Sequence, residues 1–139
     1  MKKEIWYHAT TCENSQKILA DNQLKISQIS NGNFLGRGIY FGNTLDIVQK
    51  YGQIIFECEI IMDRILFSGK GKEILSAKEQ IKTPSNARVG DLLKSYFLAN
   101  NYKGVNFPAH RSLDYRRKLV IYDTQLITIK KSHIISKNF

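Results

Sequence analysis

The stretch GRGIYFGNT, residues 36 to 44, contains a short apolar run between two groups of turn residues. Its centre, residues 39 to 41, is too short and too apolar for a surface helix, so it predicts a buried β-strand. Gly36 and Gly38 predict a loop before this strand, because glycine adopts backbone conformations that other residues avoid. Thr44 is a residue type that caps helices, so a helix is predicted to follow the strand.

The rest of the chain shows helical and alternating patterns on both sides of this stretch. Thr10 and Glu13 have the spacing of a capping box, which predicts a helix with Thr10 as its N-cap. Apolar residues recur at helical spacing between residues 87 and 100. The predicted helices are 11–21, a short one after Thr44, 72–81 and 87–100. The predicted strands are 4–9, 39–41, 53–61, 63–68, 102–107, 118–122 and 126–129, with the last a continuation or a partner of 118–122.

Between the last strands, residues 108–117 are polar and predict a loop. Helices early and in the middle, with strands at the ends, indicate an α+β fold with an antiparallel sheet. The length of 139 residues suits one domain, and no linker or repeat divides residues 1–139.

Composition restricts the partners and the location. The formal net charge is +9 and the pI is about 9.6, which favours an anionic partner. Cys12 and Cys58 are the only cysteines, too few for a zinc cluster, and we expect no metal. No apolar run approaches the roughly 20 residues of a membrane span, and the first residues lack a signal-peptide core. We therefore expect a soluble, cytoplasmic protein without a membrane partner.

Three segments carry a resemblance when they are taken in this order and spacing. They are His8-Ala9-Thr10 at a predicted strand end, Gly36-Arg37-Gly38-Ile39-Tyr40-Phe41, and Tyr51 in the following helix. Together they resemble the ADP-ribosyltransferase superfamily, in the diphtheria-toxin and poly(ADP-ribose) polymerase branch whose signature is His-Tyr-Glu. The segment Tyr102-Lys103-Gly104-Val105, followed by a last strand and Gln125-Leu126-Ile127, also resembles small bacterial and phage transferases of this type. The resemblance implies a split antiparallel β-sheet core with flanking helices, and NAD as the substrate.

The resemblance also implies roles for individual residues. His8 would offer an N–H to a ribose hydroxyl, and the backbone of Ala9 would pair with the carboxamide. Tyr40 and Tyr51 would stack on the nicotinamide ring, while Gly38 would let the backbone approach NAD. The predicted NAD-binding residues are His8, Ala9, Thr10, Arg37, Gly38, Tyr40 and Tyr51.

The segment RRKLVIYD, residues 116 to 123, matches the strand that begins with the family's glutamate, but Lys118 occupies that position. A cation cannot replace the carboxylate that stabilises an oxocarbenium-like transition state. Two like charges 4 Å apart repel by ~1 kcal/mol in water and ~4 kcal/mol at an effective dielectric of 20. Family members without this glutamate transfer single ADP-ribose units, so the substitution argues against chain elongation. Asp114 is the first alternative acid, and Glu57 and Glu59 are read as a solvated sheet face. The predicted catalytic residues are His8, Tyr40, Asp114 and Lys118.

The predicted loop supplies the candidate acceptor contacts, which are His110, Tyr115, Arg116 and Arg117. Three interpretations of Arg116, Arg117 and Lys118 stay open. They form a solvated start of a strand, they bind phosphates of a nucleic-acid acceptor, or they hold the NAD diphosphate in an altered pose.

The leading hypothesis is an NAD-dependent mono-ADP-ribosyltransferase with a macromolecular acceptor, RNA or DNA slightly favoured over protein. Its setting would be a toxin, a phage-defence or counter-defence factor or a phage protein, with a cognate inhibitor or antitoxin as a further partner. The alternative is a catalytically silent module that binds NAD, ADP-ribose or nucleic acid. A nucleic-acid binder unrelated to NAD ranks last, because the aromatic residues lie mainly in apolar runs.

Overall fold

The computed structural model describes residues 1–26, 34–81, 89–110 and 113–134, with the backbone alone at residues 110, 113 and 114. These residues form an α+β fold, as the sequence predicts. The strands are β1 (Lys3–Thr10), β2 (Ile39–Gly42), β3 (Ile54–Ile61), β4 (Ile65–Phe67), β5 (Gly104–His110), β6 (Leu113–Ile121) and β7 (Ile127–Ile134). The α-helices are α1 (Cys12–Asp21), α2 (Leu45–Val48), α3 (Lys72–Gln80) and α4 (Val89–Ala99). Two 3₁₀ turns are Gln49–Tyr51 and Thr124–Leu126. None of the helices in these ranges is long and apolar enough to cross a bilayer.

The strands form one sheet in the order β4-β5-β6-β2-β1-β3-β7. Every neighbouring pair is antiparallel except β4 and β5, which are parallel. A parallel pair needs a long crossover, and α3 and α4 lie in the chain between these two strands. The sheet is therefore mixed, and the prediction of a wholly antiparallel sheet is wrong for this one pair.

The sheet has two well-paired halves that meet at a narrow junction. β1 pairs with β3 from Lys3↔Ile61 to Thr10↔Ile54, and β2 pairs with β6 along its four residues. Between β1 and β2, by contrast, the register contains one pair, Tyr7↔Gly42. We call this contact the β1–β2 junction. On either side of this pair, β1 and β2 have no further paired residues, which leaves room for an opening in the sheet.

The core lies on both faces of the sheet, and β2 shows how the faces divide. Ile39 and Phe41 pack in one cluster, with Trp6 and Phe56. Tyr40 packs against the other cluster, which α3 and α4 cover with Ile74, Ala77, Leu93 and Phe97. Successive side chains of a strand point to opposite faces, so the apolar run at residues 39 to 41 serves both clusters.

The start of α1 differs from the prediction by one residue. Thr11 is the N-cap, and its Oγ1 accepts a hydrogen bond of 3.2 Å from the backbone N–H of Asn14. Thr10 is instead the last residue of β1, buried and paired with Ile54. The predicted capping box at Thr10 is therefore wrong, because the strand continues through this residue.

The segment predicted as a polar loop, residues 108–117, lies mainly in strands. β5 continues to His110, β6 begins at Leu113, and Pro108 pairs with Arg117. Arg116, Arg117 and Lys118 therefore lie inside β6 and alternate between the two faces of the sheet. The predicted link between residues 126–129 and this strand is also wrong, since β7 pairs with β3 at the opposite end of the sheet.

Candidate functional site

A cavity of about 690 Å³ lies beside the β1–β2 junction. Side chains from α1, β1, β2, β5, β6 and the 3₁₀ turn before Gly52 form its walls. Seven of the predicted site residues line it: His8, Ala9, Thr10, Gly38, Tyr40, Tyr51 and Lys118. Its volume is within the range of small-molecule and cofactor sites, roughly 300 to 1,000 Å³.

The cavity contacts side chains from both faces of the sheet. Tyr40 and Phe107 belong to the cluster under α3 and α4, whereas Ile39 and Phe41 belong to the opposite cluster, and all four line the cavity. The cavity is lined by residues of β1 and of β2, the two strands that meet at the narrow β1–β2 junction.

His8 bonds to β2 across this opening. Its Nδ1 lies 2.7 Å from the backbone oxygen of Tyr40. A carbonyl oxygen only accepts, so Nδ1 carries the proton of this hydrogen bond. Burial lowers the pKa of His8, and the bond to Tyr40 offsets only part of that effect, which favours a neutral imidazole. Nε2 is then an acceptor, so the prediction that His8 offers an N–H to a ribose hydroxyl needs correction: a hydroxyl would donate to Nε2.

The phenol of Tyr40 is used within the protein. It donates a 2.6 Å hydrogen bond to the backbone oxygen of Gly36 and accepts a 2.9 Å bond from the N–H of Leu35. Burial raises the pKa of Tyr40 well above its usual value, so the phenol stays protonated. Tyr122 donates a further bond of 2.7 Å to the oxygen of Leu35. The two phenols fix the turn before β2, where Gly36 has a φ of +87°. The Tyr40 hydroxyl is therefore already hydrogen-bonded to the turn before β2.

Gly38 and Arg37 have different positions relative to the cavity. A Cβ at Gly38 would lie 2.6 Å from Cγ2 of Val120, so the missing side chain lets β2 pack against β6. Arg37 does not line the cavity, although it was predicted to bind NAD. Both residues lie in the turn before β2, outside the strand itself.

Lys118 and Tyr51 meet at the cavity wall. Nζ of Lys118 donates a 3.3 Å hydrogen bond to the Tyr51 hydroxyl and lies 5.7 Å from the ring centroid. Nζ of Lys50 lies 5.1 Å from the same centroid. Partial burial acts to raise the pKa of Tyr51, but the hydrogen bond and charge of Lys118, together with Lys50, outweigh it and lower the pKa. Tyr51 is half exposed, so its hydroxyl is also accessible to solvent.

Arg117 is a structural residue and not an acceptor contact. It is 7% exposed, and Nε donates to Asn106 Oδ1 at 2.8 Å. Its terminal nitrogens donate to the backbone oxygens of Ser68 (2.8 Å), Gly69 (2.9 Å) and Asn106 (3.0 Å). The guanidinium thus joins the residues after β4 to β5 and β6. The prediction that Arg117 binds an acceptor is wrong, because the fold surrounds and uses its donors.

The neighbouring predicted acceptor residues remain at the surface. Arg116 forms an ion pair of 2.6 Å with Asp46 of α2. Tyr115 is largely exposed, and its backbone oxygen accepts a 2.7 Å bond from the Asn43 side chain. His110 belongs by its backbone to β5, but its side chain lies outside the described part of the structure. Tyr115 and Arg116 are adjacent strand residues, so they face opposite sides of the sheet.

Carboxylates are scarce around the cavity. Of the described residues, Asp21 is the one acid in its wall, and its Oδ2 lies 2.7 Å from Nζ of Lys25. Glu57 pairs with His133 (3.8 Å) on the sheet surface and does not line the cavity. Glu59 contacts Lys3 and Lys130 and lies outside the cavity as well. The side chain of Asp114 lies outside the described part of the structure. Within that part, no group of three or more His, Cys, Asp or Glu could hold a metal ion.

The cavity wall is positively charged. Lys17, Lys25 and Lys118 face one acid, and in the described ranges no carboxylate forms an ion pair with Lys17 or Lys118. The contribution of α1 was missed from the sequence. Its cavity-lining residues Asn14, Lys17, Ile18 and Asp21 follow at i, i+3, i+4 and i+7, which places them on one helix face. That spacing was a signal available in the sequence.

Comparisons with known proteins do not establish a family for this chain. No protein-family model matches the sequence, and a comparison with curated proteins gives no match. Among solved structures, the chain is similar to "Crystal structure of an anti-CRISPR protein" at 10% identity, over 92% of this chain and 94% of that one. The TM-score is 0.47, and a score of this size does not establish a shared fold.

Proposed function

We propose that the protein binds NAD in the cavity and transfers single ADP-ribose units to a macromolecular acceptor. The observation that supports this function is the convergence of residues 8–10, 38, 40, 51 and 118 on one cavity. The resemblance groups these residues by motif, and they are far apart in the sequence. An ADP-ribosyltransferase-like split sheet is part of the proposal, and the single pair at the β1–β2 junction supports it.

The cavity offers suitable groups for each part of NAD. The rings of Tyr40 and Tyr51 are apolar surfaces for the nicotinamide. Nε2 of His8 accepts from a ribose hydroxyl, because its Nδ1 is used by Tyr40. Lys17 is a cation without a described acidic partner, and such a cation favours the diphosphate. NAD therefore fits the cavity by charge as well as by aromatic content.

The reaction would be cleavage of the bond between nicotinamide and its ribose, followed by capture of the sugar by an acceptor. The transition state has oxocarbenium-like positive charge, and Lys118 occupies the position where the resemblance implies a carboxylate. We therefore expect slow transfer of single units and no chain elongation. The net charge of +9 favours RNA or DNA over protein as the acceptor. A toxin or a phage-defence or counter-defence role with a cognate inhibitor is the setting we propose.

Label transfer from NAD tests this function. Purified protein is incubated with NAD labelled in the adenylate and with RNA, DNA or cell lysate. We expect label on a macromolecule with the wild type and with His133→Ala, and none with His8→Ala. His133 is a matched control because it lies on β7, pairs with Glu57 and does not line the cavity. Absence of transfer by the wild type, or equal transfer by His8→Ala, contradicts the proposal.

A second candidate is a catalytically silent module that binds NAD, ADP-ribose or nucleic acid in the same cavity. Lys118 favours this alternative, together with the absence of a described carboxylate other than Asp21 in the wall. Thermal unfolding with NAD separates the two functions, since a ligand at 100 times its Kd stabilises the folded state by about 2.7 kcal/mol. Stabilisation without nicotinamide release supports the module. Steep loss of affinity with salt would identify nucleic acid as its ligand.

A further inference from the structure

The pair formed by Lys118 and Tyr51 offers an alternative to the carboxylate that is missing from the cavity wall. The two side chains come from β6 and from the 3₁₀ turn after α2, and both line the cavity. Their 3.3 Å hydrogen bond runs from the ammonium to the phenol oxygen. The phenol therefore keeps one lone pair for another donor, and the cation beside it favours the phenolate form.

The positive charge of Lys118 is unfavourable for the reaction unless a partner balances it. An isolated ammonium near the ribose would oppose the positive charge that develops as nicotinamide leaves. A phenolate hydrogen-bonded to the same ammonium makes the pair neutral, with negative charge on an oxygen at the cavity wall. Lys50 lies over the Tyr51 ring and adds a second cation that favours the phenolate.

We propose that Tyr51 is a catalytic residue that accepts the proton of the attacking nucleophile, with Lys118 as the positioning residue that keeps Tyr51 ready to do so. This inference rests on the proposed transfer function. The nucleophile's oxygen forms a bond with C1′ of the nicotinamide ribose, while the bond from C1′ to the nicotinamide nitrogen breaks. The electron pair of that bond stays with nicotinamide, and the nucleophile's proton passes to the Tyr51 oxygen and then to solvent.

The other titratable side chains described in the cavity wall are not part of this pair. His8 from β1 is bonded to the backbone of Tyr40, and Asp21 and Lys25 of α1 are bonded to each other. Lys17 of α1 and the protonated Tyr40 of β2 complete the titratable side chains described in the wall. Among these, Lys118 is the side chain that contacts the Tyr51 hydroxyl.

A titration of phenol absorbance tests the pair without any turnover. The protein has seven tyrosines, so the difference between the wild type and Tyr51→Phe isolates Tyr51. We expect this difference to titrate at a lower pH than the same difference measured in a Lys118→Met background. Lys25→Met is the matched control, a cavity lysine that contacts Asp21, and it should leave the midpoint unchanged. Equal midpoints with and without Lys118 overturn the proposal.

Nicotinamide release from NAD, with water as the nucleophile, tests the catalytic role. Tyr51→Phe keeps the ring, so we expect an unchanged Kd for NAD and a rate that falls about 100-fold or more. In the wild type the rate rises with pH as Tyr51 ionises, and Lys118→Met should move this rise to higher pH. A Tyr51→Phe rate equal to that of the wild type overturns the proposal.

The two measurements also separate this inference from the proposed function. If NAD binds but the wild type releases no nicotinamide, the transfer function fails, and the catalytic role of Tyr51 fails with it. If the wild type releases nicotinamide and Tyr51→Phe does so equally well, the function stands and this inference alone is overturned.

Discussion

Replacing Arg117 by methionine should destabilise the fold strongly, although the sequence places this residue among surface cations. Methionine keeps an unbranched apolar stem but has no donors, so the change removes the four hydrogen bonds to Asn106, Ser68 and Gly69. A hydrogen bond to a charged group contributes about 1.5–3 kcal/mol, and these four bonds share one side chain, so their effects do not add fully. We expect a loss of about 4 kcal/mol, which is a large part of a typical stability of about 5–15 kcal/mol.

Urea unfolding measures this loss. The single tryptophan, Trp6, is 3% exposed, so its fluorescence reports on the core. Arg116→Met is the matched control, because Arg116 is the adjacent strand residue and pairs with the exposed Asp46. Surface ion pairs contribute little, so this variant should unfold near the wild-type urea concentration. If Arg117→Met loses less than about 1 kcal/mol, or if both variants lose the same amount, the structural assignment of Arg117 is refuted.

Three further predictions concern the stability of the fold. Gly52→Ala should lower the free energy of unfolding by about 1–3 kcal/mol in urea denaturation, because its Cβ would collide with the backbone oxygen of Thr10; wild-type stability would contradict this. Tyr122→Phe should cost about 1–2 kcal/mol in the same assay, since the oxygen of Leu35 loses a buried donor, and an unchanged midpoint would refute that role. The lowered pKa of His8 means that the folded state binds fewer protons than the unfolded state below the ordinary value of 6.5, so stability falls as the pH drops through that region. Thermal unfolding from pH 7.5 to 5 should show a smaller loss for His8→Gln than for the wild type, and equal losses would contradict the prediction.

Much of the fold was predictable from local patterns. The helices α1 and α4 and the strand β2 follow from apolar spacing and turn residues, which act over a few residues. The β5–β6 hairpin was not predicted, because polar residues 108–117 look like a loop when only hydrophobicity is considered. Its strands are stabilised by pairing and by Arg117, and such contacts join residues far apart in the sequence. The pairing of β7 with β3 was missed for the same reason.

The candidate site was predicted in part. Motif order brought His8, Tyr40 and Tyr51 together, and the cavity contains all three. Sequence order could not separate Arg117 from Lys118, because strand alternation sends one into the core and the other to the cavity wall. Sequence order also could not show which ring nitrogen of His8 bonds to the backbone oxygen of Tyr40. That depends on a carbonyl 32 residues away, in a strand that β1 meets at one pair.

The central claim is that residues from β1, β2, β6 and the turn at Tyr51 form one NAD site. A titration of isotope-labelled protein with NAD, followed by amide chemical shifts, tests this claim most directly. We expect saturable shifts at the cavity-lining residues His8, Ala9, Gly38, Tyr40, Tyr51 and Lys118, and little change along α3 and β7. Saturable shifts confined to α3 or β7, or no saturable shift at all, would contradict it.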